Sequence, residues 1–408
     1  MTSHPLTPSQ RWLCGLNFFI ADVRDGLGPF LGVFLMGQGW PADDIGYLMG
    51  AAGIAGMLAT TPLGAWVDGS RRKRGLLAGA TVLLLAGNLA LWAWPTPAVT
   101  AATQILAAVV GALFGPALMG LTLGLVGPRG LPRQLGRNEA WNHAGNVIAA
   151  ALAGLAGYRW GLPAVFVLMV LMGCGALLCL AGIRSRDIDH DVARGLEARP
   201  AADYPSSPPS AWRVLAGSRA LCLLAVTMLL FHLGNAAMLP LLGQSVVARG
   251  QADPSAYTAS TIIVAQLVMI PVALLAGRHA ERRGYWGLIT AALAVLPLRG
   301  AIAAAWASPW ALIPVQVLDG VGAGLMGVAL PGLVAHMLRG SGHINAGLGA
   351  VTAIQGIGAA LSPALAGWVA QHFGYATAFA TLGGCAALGV LVFRYAMYPA
   401  TNSHRSPV

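Results

Sequence analysis

Apolar runs of about 18–25 residues recur along this 408-residue chain. As helix, that length crosses about 30 Å of hydrocarbon. Backbone polar groups have no water to bond with there, so only helices and closed barrels can span it. The runs are continuous rather than alternating, which argues for helices and against a barrel. Composition agrees. Charged residues make up 9% of the chain, against about 25% in soluble domains, and the mean hydropathy is +0.69. The expected fold class is an all-α, multi-pass membrane protein.

Twelve spans are expected, at about 13–36, 45–67, 75–94, 100–126, 140–158, 163–183, 219–241, 257–277, 286–306, 309–337, 345–370 and 376–397. The longest polar interval, Arg184 to Arg219, is rich in Pro, Ser and charge and reads as a linker. The expected organisation is therefore a six-helix bundle over 1–183, a linker over 184–218 and a second six-helix bundle over 219–408. The net charge of +10 sits in short clusters between spans, with no basic stripe interleaved with aromatics. That pattern sets topology and does not call for nucleic acid. The even-numbered connections hold Arg71, Arg72, Lys73, Arg74, Arg129, Arg133, Arg137, the linker arginines, Arg278, Arg282, Arg283 and Arg339. The odd-numbered ones hold Arg159 and Arg249. Both termini and the linker are expected to be cytoplasmic.

The two halves repeat. "GAWVD" from Gly64 matches "GRHAE" from Gly277, "GNVIAAALAG" from Gly145 matches "GAALSPALAG" from Gly358, and "GLPAVF" from Gly161 matches "GYATAF" from Gly374. All three are offset by 213 residues. "PFLG" from Pro29 matches "PLLG" from Pro240 at an offset of 211, and "QIL" from Gln104 matches "QVL" from Gln316 at 212. Parallel repeats of this kind belong to transporters whose solute site lies near the midplane.

The stretch "GAWVDGSRRKR" between spans 2 and 3, with its echo "GRHAERRG" between spans 8 and 9, carries a resemblance. Over essentially its whole length the chain resembles the major facilitator superfamily. That family's loop has a Gly, an Asp four residues later and a basic cluster. Gly64, Asp68, Arg72, Lys73 and Arg74 match it, while Gly69 and Arg71 exchange the usual Arg and Gly. The resemblance implies that Asp68 faces the start of span 11 near Asn345, as a lock favouring the outward-open form. Gly64, Asp68, Arg72, Gly277, Glu281 and Arg282 are then gating candidates. The basic residues alone would also serve as a stop-transfer cluster.

Span 1 carries Asp22, Arg24 and Asp25. Asp22 and Asp25 lie about 60° apart on one helix face, and Arg24 about 160° from Asp22. An ionised group at the bilayer centre costs about 2.5–3.5 kcal/mol. Three of them imply a wet cavity, partners on other helices, or protonation. Two close acids also split their titration, which makes Asp22 and Asp25 candidate proton-coupling groups. The alternative is a buried structural network around Arg24. The resemblance places spans 1, 4, 7 and 10 around a central cavity. Asn17, Arg24, His232, Asn235, Arg299, Gln316 and Asp319 are the candidate solute-binding residues, and Arg299 with Asp319 could instead form a structural ion pair. Glu139, Asn142, His143 and Asn146 form one polar stripe on span 5, as a cavity wall or a packed face.

Two features of the family's drug–proton antiporters are absent. Span 5 reads "GNVIAAALAG" without the usual Pro, and Ala101 stands where an Arg precedes Gln104. Cys14, Cys174, Cys179, Cys222 and Cys385 fall within apolar runs and read as core residues. No metal or cofactor site is expected, and the first apolar run reads as a retained helix. The expected function is secondary transport of a small organic solute by a monomer in lipid, coupled to protons and run as export. Uptake of an anionic solute, such as a siderophore or organic acid, is the first rival. A non-transporting membrane protein is the second, but no HExxH, nucleophile–base pair or phosphate loop supports it.

Overall fold

The computed structural model describes residues 6–25, 31, 34–35, 37–40, 42–161, 163–196, 216–247, 249 and 254–397. Twelve α-helices appear among them. The first six are α1 Pro8–Asp25, α2 Ala42–Gly69, α3 Lys73–Ala93, α4 Pro97–Gly111, α5 Phe114–Trp160 and α6 Pro163–Gly182. The second six are α7 Arg219–Asn235, α8 Met238–Val247, α9 Pro254–Arg283, α10 Trp286–Ala305, α11 Leu312–Met337 and α12 Ile344–Leu391.

These helices are not the twelve spans one for one. Nine helical stretches among the described residues are long and apolar enough to cross a membrane. Two of them, at 61 and 52 residues, have length for two crossings each at 1.5 Å per residue. The 61-residue stretch holds spans 4 and 5, and the 52-residue stretch holds spans 11 and 12. Span 1 begins as α1, and its remainder lies partly outside the described residues.

Prolines explain where spans are cut. Span 4 breaks at Ala112–Leu113 and span 7 at Ala236–Ala237. Pro116 and Pro240 each follow four residues after the first broken position, and a proline ring collides with the carbonyl four residues back. The break in span 7 is supported from α12, where the Ser362 hydroxyl accepts the N–H of Ala237 at 3.0 Å. The segment between spans 4 and 5 differs from a loop. It is helical in α5 on both sides of Gly127 (φ 66°, ψ 175°), and Pro128 restarts the helix as its first residue.

The repeat is legible in backbone conformation. Gly161 has φ 77°, ψ 179°, and Gly374, 213 residues on, has φ 83°, ψ 165°. Both lie where only glycine is unstrained. Packing repeats too. A Cβ at Gly145 would fall onto the carbonyl of Phe18, and one at Gly358 onto the carbonyl of Leu229. Small residues allow this backbone approach where lipid gives no hydrophobic drive between helices.

The chain divides into two compact units, Met1–Ala201 with Arg339–Gly349, and Ala202–Leu338 with Ala350–Val408. The core of the first packs Leu16, Ile20 and Val23 of α1 against Leu77 and Leu84 of α3, Phe114 and Leu121 of α5, and Met172 of α6. In the second, Leu224 and Met228 of α7, Ile289 and Leu293 of α10, and Val315 and Val334 of α11 are buried. The linker's described start is not a bare tether. Two 3-10 turns, Ser185–Asp187 and Val192–Arg194, lie on the first unit, where the Asp189 N–H donates to the Gly124 carbonyl at 2.9 Å.

Candidate functional site

Three helices of the second unit converge on one guanidinium. Arg299 of α10 is 1% exposed. Its Nη1 donates to Asp319 Oδ1 of α11 at 2.7 Å and to Asn235 Oδ1 of α7 at 2.6 Å. Asn235 is the last residue before the break in span 7, so the interrupted helix presents its amide at the cluster. A buried charge is tolerable only when paired and hydrogen-bonded, and Asp319 and Asn235 do both. Gln316 lies three residues before Asp319, on the same face of α11. It is 0% exposed. Among the described residues neither end of its amide has a hydrogen-bond partner, and neither has Arg299 Nε. Buried polar groups are normally satisfied, so these donors and this acceptor suit a polar ligand.

His232, one turn before Asn235, has Nδ1 3.1 Å from the Met228 carbonyl. That contact occupies one ring nitrogen locally. Asn17 of α1 is buried, and its amide donates to the Leu13 carbonyl at 2.8 Å. Asp22 is partly buried. The side chains of Arg24 and Asp25 lie outside the described residues.

A second polar centre lies in the first unit. Asp68, at the end of α2, is 5% exposed. Its Oδ1 accepts the Asn345 side-chain amide at 2.7 Å and backbone N–H at 3.2 Å, and its Oδ2 accepts the Ala346 N–H at 2.8 Å. Those N–H groups belong to the first turn of α12, which has no intrahelical acceptor for them. Asn345 also donates to the Ala193 carbonyl at 3.1 Å. Gly64 sits one turn before Asp68, and a Cβ there would strike the Asn345 carbonyl. Arg72 is exposed, as are Glu281 and Arg282, while Gly277 is buried. The second-half echo therefore differs in setting from the first: Asp68 is buried and Glu281 is not.

Sequence reasoning passed over several of these residues. Lys73 counted only as a topology charge and as part of the family's basic cluster, yet it is 0% exposed and its Nζ donates to the Ser70 carbonyl at 2.8 Å. Gln134 and Asn138 fell in an expected loop. They are buried in α5, where Gln134 donates to Asn138 and Asn138 to Thr122, both at 2.9 Å. Their i, i+4 spacing was the available signal. Glu139 and His143 of the polar stripe approach to 3.8 Å. Among the described residues no cluster of His, Cys, Asp and Glu could hold a metal ion.

Comparison with known proteins agrees with this architecture. The sequence model of the Major Facilitator Superfamily matches residues 13–298. An uncharacterized MFS-type transporter of Mycobacterium tuberculosis, found in two strains, is 40% identical over 392 residues, covering 95% of this chain and 93% of that protein. Among solved structures, FucP in the outward conformation has a TM-score of 0.70 at 14% identity, covering 95% of this chain and 98% of its own. The human organic anion transporter MFSD10 has a TM-score of 0.70 at 16% identity, covering 95% and 100%. At these identities the solved structures show the fold alone. The protein is a multi-pass membrane transporter and not an enzyme, and the chain belongs to the major facilitator superfamily.

Proposed function

We propose that this transporter moves a small polar organic solute by alternating access, driven by protons and run as export. The carrying observation is the cluster of Asn235, Arg299, Gln316 and Asp319, in which Arg299 and Gln316 are buried and the Gln316 amide and Arg299 Nε are unpartnered among the described residues. A solute with a hydroxyl or carbonyl would satisfy groups that are otherwise desolvated for nothing. Proton coupling is assigned to Asp22 and Asp25. Its support is the cost of two acids on one face of a membrane helix, which protonation of one relieves. In this reading 1–183 and 219–408 are the two bundles, and both termini and 184–218 face the cytoplasm. Labelling of Ser206→Cys from outside intact cells would overturn that orientation.

A second reading, proton-coupled uptake of an anion, is favoured by one observation. Arg299 has Nε unpartnered, and a carboxylate could take that hydrogen bond while competing with Asp319 for the charge.

The test has two stages. A thermal-shift screen of the purified protein against solute libraries supplies a ligand. Flux of that ligand is then measured in proteoliposomes under pH gradients of both signs. Export predicts that the solute moves against the proton flow, whereas movement with it establishes uptake. Asp22→Asn and Asp25→Asn separate the coupling claim: at least one loses gradient-driven accumulation while keeping the thermal shift. If both accumulate the solute as the unmutated protein does, these acids are not the coupling site.

A further inference from the structure

A cavity of about 460 Å³ in the first unit lies between the start of α3, the end of α6 and the first 3-10 turn of the linker. Arg71, Arg72, Arg74 and His190 supply its polar wall, and Ala78, Leu177, Leu180, Ala181 and Ile188 its apolar wall. The α3 span begins at Lys73 and the α6 span ends at Gly182, so the cavity sits at one membrane boundary with its arginines at headgroup level. No acid lines it. The acids of the adjoining segment have partners of their own: Asp187 accepts the Ser9 hydroxyl at 2.5 Å, Asp189 Oδ1 accepts the N–H groups of Asp191 and Val192 at 3.0 Å each, and Asp191 pairs with Arg194 at 2.7 Å.

The cavity is built and strongly positive. Arg74 is fixed as part of its frame, with Nε donating to the Leu180 carbonyl at 3.1 Å and Nη1 to the Ser185 hydroxyl at 2.6 Å. Arg71 and Arg72 are exposed beside it. His190 Nδ1 is buried without a hydrogen-bond partner among the described residues. Its pKa is lowered by burial first, and then by the charges of Lys73 and Arg71, against a smaller opposing pull from Asp189 and Asp191. The ring therefore joins as a neutral group, and the three arginines carry the charge. Away from the headgroup level, Val82 of α3 and Leu178 of α6 are exposed and extend an apolar face along both helices.

We propose that this cavity binds an anionic phospholipid, with the phosphate on Arg71, Arg72 and Arg74 and the acyl chains along the apolar faces of α3 and α6. Arginine forks suit phosphate oxygens, and basic pockets between membrane helices suit acidic lipid headgroups. The apolar wall is what separates this ligand from a free anion, which has no use for it. The site is distinct from the Arg299 cluster, which lies in the other unit.

The test is native mass spectrometry of the purified full chain in detergent, titrated with phosphatidylglycerol, with phosphatidylcholine and with inorganic phosphate. Phosphatidylglycerol is expected to remain bound and phosphatidylcholine to be lost. Arg71→Gln with Arg72→Gln weakens phosphatidylglycerol about thirtyfold, from the usual contribution of two basic residues at an anionic surface. Ala181→Trp fills the apolar wall without changing charge, and it lowers the same adduct. Arg339→Gln, at a residue that does not line the cavity, leaves it unchanged. Thermal unfolding checks that each variant folds, and the Ala181 variant decides alone if the arginine variant does not. Three results overturn the proposal: equal retention of both lipids, a phosphatidylglycerol adduct unchanged in the folded variants, or displacement of that lipid by millimolar phosphate, which would mark a free-anion site.

Discussion

Asp68 and Asn345 are 277 positions apart, yet the carboxylate of one accepts both the side-chain amide and the backbone N–H of the other. The second carboxylate oxygen takes the next N–H, that of Ala346. A helix ordinarily draws such a cap from the residue just before it. Here the acceptor comes from the far end of α2. The positive end of α12 and the negative charge on Asp68 also attract one another.

Asp68→Ala removes acceptors from three buried donors. Each unsatisfied donor costs about 1–3 kcal/mol, so the variant should unfold at lower temperature, and the amides of Asn345 and Ala346 should exchange hydrogen faster. Asp68→Asn retains one acceptor oxygen and should fall between. Hydrogen exchange read by mass spectrometry over 340–350 checks both. Unchanged exchange in Asp68→Ala would mean that the cap does not hold the first turn of α12.

Arg299 and Asp319 should behave as one unit. Arg299→Leu leaves the half-buried Asp319 without its cation and should cost up to about 3 kcal/mol of stability, the low end of what breaking a buried pair costs. Arg299→Leu with Asp319→Leu removes both charges and should recover much of that loss. A double-mutant cycle on unfolding in detergent measures the coupling. Additive effects would show that the 2.7 Å contact carries little energy.

Gln316→Leu separates stability from ligand binding. The wild-type amide is buried and unpartnered among the described residues, so an apolar side chain of similar volume should hold or raise the unfolding temperature. A ligand found by thermal shift should nevertheless lose binding, by a factor on the order of ten for one lost hydrogen bond. A variant that is strongly destabilised would place an unseen partner on the amide.

Gly145→Ala and Gly358→Ala should both destabilise, by about 1–3 kcal/mol each. In each case the new methyl meets a backbone carbonyl, and that carbonyl lies inside a helix and cannot swing away. Gly154→Ala serves as the control, because among the described residues nothing lies within 4 Å of its missing Cβ. Matched losses at the first two positions and none at the third is the expected pattern in thermal unfolding.

The spans and the repeat were readable because hydropathy and glycine register are local properties. Breaks at Ala112 and Ala236 were readable in principle through Pro116 and Pro240, but an apolar run hides them from any average over composition. Burial of Lys73 and convergence of Asn235, Arg299 and Asp319 depend on how separate helices meet. No spacing along the chain specifies that. The helical state of Gln134 and Asn138 was masked by neighbouring Gly127, Pro128, Gly130 and Pro132, which read as turn residues. In the folded chain Gly127 makes the kink between two helical stretches, and the prolines sit in the helix that follows.

The glycine contacts of the two units are equivalent. Phe18 and Leu229 are 211 residues apart, Gly145 and Gly358 213, and the same backbone touches the same missing Cβ in both units. One set of packing constraints therefore holds in both halves, at the same register. At the matching offsets Asn235 stands opposite Arg24, and Asp319 opposite Ala107. The two halves share the helices' points of closest approach and differ in their polar residues, with Asp22, Arg24 and Asp25 on span 1 of one half and Arg299 and Asp319 on spans 9 and 10 of the other.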